Sequence, residues 1–399
     1  MRTPVILVTG QEGTAAVAVE LLRRAGTAVI EHHLDGHVVR RRIIMLQRGV
    51  VTMAETALEL AHGCVSCTIR NDLLVLLRKM HRRSDVECVV VQLTPWAEPE
   101  PICWAIRHVR VGAGPGFEEG PAARDVVVTA VITCVDVMVW LPQALGDEEL
   151  ADGRTVAQVV VAQAEFADLI VCAPPPADLL EVLVRLNPLA RVIANADAVH
   201  GALEHLPVAA RRGRSNDPHG SLLVGQPPLE VAGMVRLIEF HARRPFHPER
   251  LHDALDVLLE DVVRVRGRLW LASNDGQVMW LESAGGGLRV SSAGLWLAAM
   301  SESELAYAVA ERRALAAAFW DDQHGDRHSS MVILVCGADP NTIREALRGA
   351  LLTDAEMRHR DRWPKLHDPF GQWHEEPCSE PIPARSLNTE TNDTDGEHL

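Results

Sequence analysis

The chain is poor in lysine. Lys79 and Lys365 are the only two in 399 residues, so arginine carries almost all of the positive charge. No apolar run reaches the roughly 20 residues that a membrane-crossing helix needs, and the first residues lack the charged-then-apolar order of a secretory signal. These absences lead to the expectation of a cytoplasmic protein with no membrane partner. The eight cysteines (64, 67, 88, 103, 134, 172, 336 and 378) stand mostly alone inside apolar stretches, which excludes a disulfide framework. A net charge of −15 argues against phosphate-backbone binding as the main source of affinity, and direct DNA binding is not expected. The first 110 residues carry a slight positive excess, with Arg40-Arg41-Arg42 as its densest run.

The lysine shortage matters most near the N-terminus. Residues 4–9 read as a buried strand, Gly10-Gln11-Glu12-Gly13 as a tight loop, and 14–25 as a helix with Thr14 as its N-cap. That is the layout of a phosphate-binding P-loop, which requires G-x-x-x-x-G-K-[ST], the Lys reaching the phosphates and the hydroxyl holding Mg²⁺. Counted from Gly10, the positions for Gly, Lys and Thr hold Ala15, Ala16 and Val17. Glu12 adds a carboxylate where the helix end would attract an anion. Two further motifs fail. The strand ending in Gln92 runs into Leu93-Thr94-Pro95-Trp96, giving amide for carboxylate and a proline without an N–H. After residues 169–172, Ala173-Pro174-Pro175-Pro176 replaces the Asn-Lys-x-Asp that selects guanine. Main-chain donors around Gly10, Gly13 and Thr14 are what remains of a phosphate site, and GTP with Mg²⁺ is a doubtful cofactor.

The positive chemistry lies in His62-Gly63-Cys64-Val65-Ser66-Cys67, ahead of a helix over 68–81 with Thr68 as N-cap. A helix N-terminus lowers thiol pKa, and thiolate is the form that binds soft metals or attacks disulfides. Three readings stand: a site for a soft metal, with imidazole from His62, His32, His33 or His37; a C-x-x-C redox pair; or a loop held by small residues. The His359, His367, His374 and Cys378 group has irregular spacing for a ligand set, and Trp270, Trp280 and Trp296 read as packing.

Alternating apolar strands (5–9, 27–31, 86–93, 126–135, 169–172, 191–194) and amphipathic helices (14–25, 53–61, 68–81, 155–167, 177–186) predict an α/β domain over 1–208. Its sheet is mostly parallel, with helices on both faces, as in P-loop NTPases. Residues 209–224, rich in breakers, form a linker. A smaller α+β domain follows over 225–376, with strands at 231–240, 262–272, 278–282 and 331–336 and helices at 303–320 and 341–351. Gly285-Gly286-Gly287 marks a hairpin or a close backbone approach. Residues 377–399 are a polar tail with nothing to bury, expected to be disordered.

These stretches resemble the CobW family of P-loop proteins, nearly end to end. The likeness is carried by residues 4–25, by Glu59 to Leu73, by Gln163-Ala164-Glu165-Phe166-Ala167-Asp168, by Leu186-Asn187-Pro188, and by 244–250, 266–272 and 351–354. The resemblance implies an N-terminal GTP-binding domain, a CobW C-terminal domain and a Cys-x-Cys-Cys motif that binds zinc or another divalent metal. Cys64 and Cys67 match its first and third cysteines, and Ser66 stands at the second. Residues 31–40, 101–106 and 277–289 resemble a narrower branch, the GTPases that recruit a ribosome hibernation factor. From that follows the expectation of a protein that brings a hibernation factor to the small ribosomal subunit when zinc is scarce. The alternative is a GTP-dependent zinc metallochaperone or insertase.

Overall fold

The computed structural model describes residues 1–60, 64–215 and 217–370. Its N-terminal part contains β1 (Thr3–Gly10), α1 (Thr14–Leu22), β2 (Thr27–Asp35), β3 (Val38–Gln47), β4 (Val50–Leu58), α2 (Val65–His81), β5 (Cys88–Gln92) and α3 (Pro99–His108). There follow β6 (Arg110–Val111), β7 (Gly120–Pro121), β8 (Val126–Val135), α4 (Trp140–Leu145), α5 (Val156–Phe166), β9 (Leu169–Cys172), α6 (Ala177–Leu186), β10 (Arg191–Ile193) and α7 (Val199–Glu204). The main sheet has the order β10-β9-β8-β1-β5-β2-β3-β4, parallel from β10 to β2 and antiparallel across β2, β3 and β4. Val, Ile and Leu fill β1, β5 and β8 on both faces, as parallel strands covered by helices require.

The expected helix over 53–61 is a correction: these residues belong to β4. The β-branched residues Val38, Val39, Ile43 and Ile44 favour a strand at β3, where Val39 and Met45 are buried, and a two-residue turn at Arg48-Gly49, both with positive φ, returns the chain as its partner. The apolar spacing that suggested a helix is an exposed edge strand instead.

The C-terminal part contains β11 (Val235–Ala242), α8 (Pro248–Ala254), β12 (Val262–Leu269), β13 (Gln277–Ala284), β14 (Gly287–Leu295), α9 (Glu302–Tyr307), α10 (Ala310–Ala318), β15 (Ser329–Cys336), α11 (Pro340–Gly349) and α12 (Asp354–Met357). Its antiparallel sheet has the order β11-β15-β12-β13-β14. The single helix expected over 303–320 is two. Ser301 caps α9 through a reciprocal bond with Glu304, and Ala308 and Val309 are extended before α10 starts. Trp270 and Trp296 are buried in the core, as the sequence suggested. The tail expected over 377–399 lies outside the described residues.

The two parts share a core. Val156, Val160, Leu179 and Val182 of the first pack with Val235, Val263, Leu334 and Cys336 of the second. The β13–β14 turn seats on the first part: a Cβ at Gly285 would stand 2.3 Å from the Gly146 carbonyl, and one at Gly287 would stand 2.5 Å from Thr155 Oγ1. Both the hairpin and the close approach expected of these glycines are present. Glu165 on α5 completes the junction, with Arg264 at 2.9 Å and Arg266 at 2.5 Å. Burial disfavours its ionised form, but Arg264, Arg266 and Arg211 outweigh that and hold its carboxyl at about 2.

Candidate functional site

β1 lies between β5 and β8, so the loop at its C-terminal end occupies the place where parallel α/β sheets take their ligands. The backbone there is that of a phosphate loop. Gly10 has φ 127° and a Cβ would fall 2.4 Å from the Cys134 carbonyl, so the turn accepts only glycine. Gly13, with φ 81°, precedes α1 and occupies the cap position that the sequence assigned to Thr14. Thr14 is the first helical residue, and its Oγ1 accepts from Gln92 Nε2 at 3.1 Å.

The side chains around this loop form an amide latch. Gln163 on α5 is 1% exposed and donates to the carbonyls of Pro95 at 2.8 Å and Ala97 at 2.9 Å, while its Oε1 accepts from Gln11 Nε2 at 3.1 Å. Thr9 Oγ1 also reaches Ala97 O. The segment after β5 is therefore pinned to the loop by the protein's own amides. Val17, at the position for the Mg²⁺-holding hydroxyl, is fully buried among Ile6, Val29 and Val90. With no lysine, an apolar residue at the metal position and amides in the remaining space, this site does not fit Mg²⁺-nucleotide.

The second site opens α2. The expected N-cap, Thr68, lies inside the helix, where its Oγ1 donates to Cys64 O at 2.8 Å. Cys64 is itself the cap: its φ and ψ are extended, and its Sγ accepts from Cys67 N–H at 3.2 Å. Arg70, one turn on, places Nη2 4.0 Å from Cys67 Sγ. The Cys64 thiol is pushed below its ordinary value, first by a side-chain hydrogen bond from Cys67, then by the Cys67 and Ser66 amides and the Arg70 charge. Cys88, Cys103, Cys134 and Cys172 are buried, and burial pushes each of their thiols up, to about 11 or 12. Of these five thiols, only Cys64 is shifted toward the thiolate.

The imidazoles divide differently. His62 lies outside the described residues. His32 is buried, and its Nε2 meets Asp72 Oδ2 at 2.8 Å, while Arg41 holds the other Asp72 oxygen at 2.6 Å. Asp72 projects from α2, so this triad ties the cysteine-bearing helix to β2 and β3. His33 and His37 are not drawn to the cysteines: among the described residues no three His, Cys, Asp or Glu side chains form a metal-holding group. His367 pairs with Glu249 at 3.2 Å, and His374 and Cys378 lie outside the described residues. The sequence did not single out Gln11 and Gln163, whose partners lie 66 to 152 residues away.

A model described as the CobW/HypB/UreG nucleotide-binding domain matches residues 26–184, and one described as the cobalamin synthesis protein cobW C-terminal domain matches residues 235–351. A protein of Mycobacterium tuberculosis named zinc chaperone Rv0106 is 60% identical over 380 residues, covering 95% of this chain and 96% of its own. This chain belongs to the CobW family. A more distant CobW relative, zinc-regulated GTPase metalloprotein activator 1 of Dictyostelium discoideum, is 24% identical over 367 residues, 85% of this chain and 76% of that protein. The Zn(II)-bound YjiA GTPase from E. coli aligns over 88% of this chain and 100% of its own at 15% identity, with a TM-score of 0.39. The CobW nucleotide-domain match begins at residue 26, after the altered loop. The relatives' names lend nothing to the narrower hibernation branch. No helix among the described residues is long and apolar enough to cross a membrane.

Proposed function

We propose that this protein is a zinc carrier of the CobW family, holding the ion as cargo through Cys64 and Cys67 and working without GTP turnover. The observation that supports it is the Cys64 thiol at the head of α2, lowered in pKa and bonded to the Cys67 amide. Zinc prefers four ligands in tetrahedral array. Two thiolates occupy two of those positions and leave two for donors of an acceptor protein, so the ion passes on by ligand exchange without ever being free. The helix end stabilises the paired thiolates electrostatically, and Arg70 adds a charge of the same sense. The 60% identical relative named as a zinc chaperone favours this reading over recruitment of a hibernation factor to the small ribosomal subunit.

Competition against a chromophoric zinc chelator tests it, with the wild-type chain and the Cys64→Ser and Cys67→Ser variants, each with and without Mg²⁺-GTP. Binding of one zinc per chain, weakened about tenfold or more by either serine and unmoved by GTP, is the expected result. Equal affinity in the serine variants, or zinc release that requires GTP hydrolysis, overturns it.

A further inference from the structure

Two arginine pairs far apart in the sequence meet on the C-terminal part. Arg243 and Arg244 follow β11, and Arg344 and Arg348 stand one turn apart on α11; together with Glu239 and His241 they line an open cleft of about 270 Å³. In sequence, Arg243-Arg244 is an ordinary exposed pair. The fold turns it into half of a four-guanidinium site, in a chain whose net charge is −15.

Three of the four charges are not consumed by the protein itself. Arg244 donates to Leu352 O at 2.8 Å and to Asp354 at 2.6 Å, and so is fixed as part of the wall. Among the described residues, the ion pairs at this cleft are Arg244 with Asp354 and His241 with Glu239; Arg243, Arg344 and Arg348 have none. Unpaired guanidiniums of this kind accept carboxylates or phosphates in a two-pronged grip.

The strand beside them narrows the choice. β11 is the last strand of its sheet, paired with β15 on one side, and among the described residues no strand pairs its other edge. Such an edge offers a row of N–H and C=O groups at strand spacing. Residues 239–242 of that strand and Arg344 and Arg348 of α11 line the same cleft.

We propose that this cleft docks an extended, acidic segment of a partner protein, which adds a strand to the β11 edge and sets its carboxylates against Arg243, Arg344 and Arg348. Main-chain pairing supplies binding that tolerates sequence variation, and the guanidiniums select for acidic side chains. The site lies on the C-terminal part and involves neither Cys64 nor Cys67, so it stands or falls apart from zinc carriage.

Fluorescence anisotropy with the full chain tests it. The probe is a labelled peptide of about ten alternating Glu and Val residues, long enough to span the strand. Controls are a Lys and Val peptide, a copy methylated at alternate backbone nitrogens, and tripolyphosphate. Saturable binding is expected for the Glu peptide alone, weakened about tenfold or more in Arg344→Glu/Arg348→Glu, by backbone methylation, and by raised salt. Arg348 is exposed and Arg344 half-buried, neither among the buried residues of α11, and a melting curve checks that the variant folds; Arg243→Ser offers a milder second variant. Failure of the Glu peptide to bind, or equal binding by a folded double variant, overturns the proposal. So does arginine-dependent binding of tripolyphosphate without the peptide, which marks a phosphate site, or a dimer that the double variant abolishes, which marks a second copy as the occupant.

Discussion

Two helix N-termini in this protein follow the same sheet, and their chemistry has diverged. At α1 the backbone of a phosphate loop survives, with Gly10 in a conformation that only glycine fits and Gly13 in the left-handed region, yet the surrounding side chains are neutral amides, hydroxyls and alkyl groups. At α2 the cap residue is a cysteine whose thiol the helix end and a second thiol favour as thiolate. A helix end supplies only a positive potential and a few free N–H groups. What binds there is decided by the side chains within reach. The first end has been closed by the protein's own hydrogen bonds, whereas the second offers soft donors.

The contrast predicts that damage at the α1 end costs stability and leaves zinc alone, while damage at the α2 end does the reverse. The largest effect is expected from Gly10→Ala, where a methyl must displace the Cys134 carbonyl in a backbone region hostile to side chains. About 4 kcal/mol of lost stability in urea unfolding is expected, with zinc stoichiometry unchanged in the folded fraction.

Next comes the anchor of α5. Glu165 titrates at about 2 in the fold against 4.5 ordinarily. Its folded pKa is depressed, so its contribution is complete above pH 4.5 and is lost as pH falls from there toward 2. A loss of about 3 kcal/mol over that window is expected from denaturation midpoints, and Glu165→Gln should flatten that part of the curve.

At the other end, Cys64→Ser keeps a good helix cap and removes a soft ligand. Zinc affinity should fall about 100-fold, or ~2.7 kcal/mol, with stability within about 1 kcal/mol of wild type by the same unfolding assay. Gln163→Ala removes the centre of the latch and the shorter of the two hydrogen bonds to each of the Pro95 and Ala97 carbonyls; about 2 kcal/mol of stability should go, still with no GTP binding by equilibrium dialysis. The smallest effect is kinetic. Iodoacetamide mapping at neutral pH should label Cys64 well ahead of buried Cys103 and Cys134, whose thiols burial pushes up to about 12.

Much of this contrast was readable before any fold was known. The missing lysine, Val17 at the metal position, Gln92 for a carboxylate and Pro95 for a glycine are local facts, because each motif position is counted along the chain. The C-x-x-C pair at a helix start was equally plain. The cap was misplaced by four residues because a thiol is an uncommon capping acceptor and Thr68 a common one. β4 was misread for a related reason: exposed on both faces, it lacks the alternation that marks a half-buried strand.

The sequence by itself determined that the lysine, hydroxyl and carboxylate of the phosphate motifs are missing and that two thiols head a helix, since both depend on residue identity at fixed spacing. Only the tertiary structure decided what took the vacated role. Gln11, Gln163 and the Pro95 carbonyl meet from three separate stretches of chain, as do the paired arginines of the β11 cleft. A hydrogen bond or an ion pair acts through a few ångströms of space, and the distance along the chain carries no record of it.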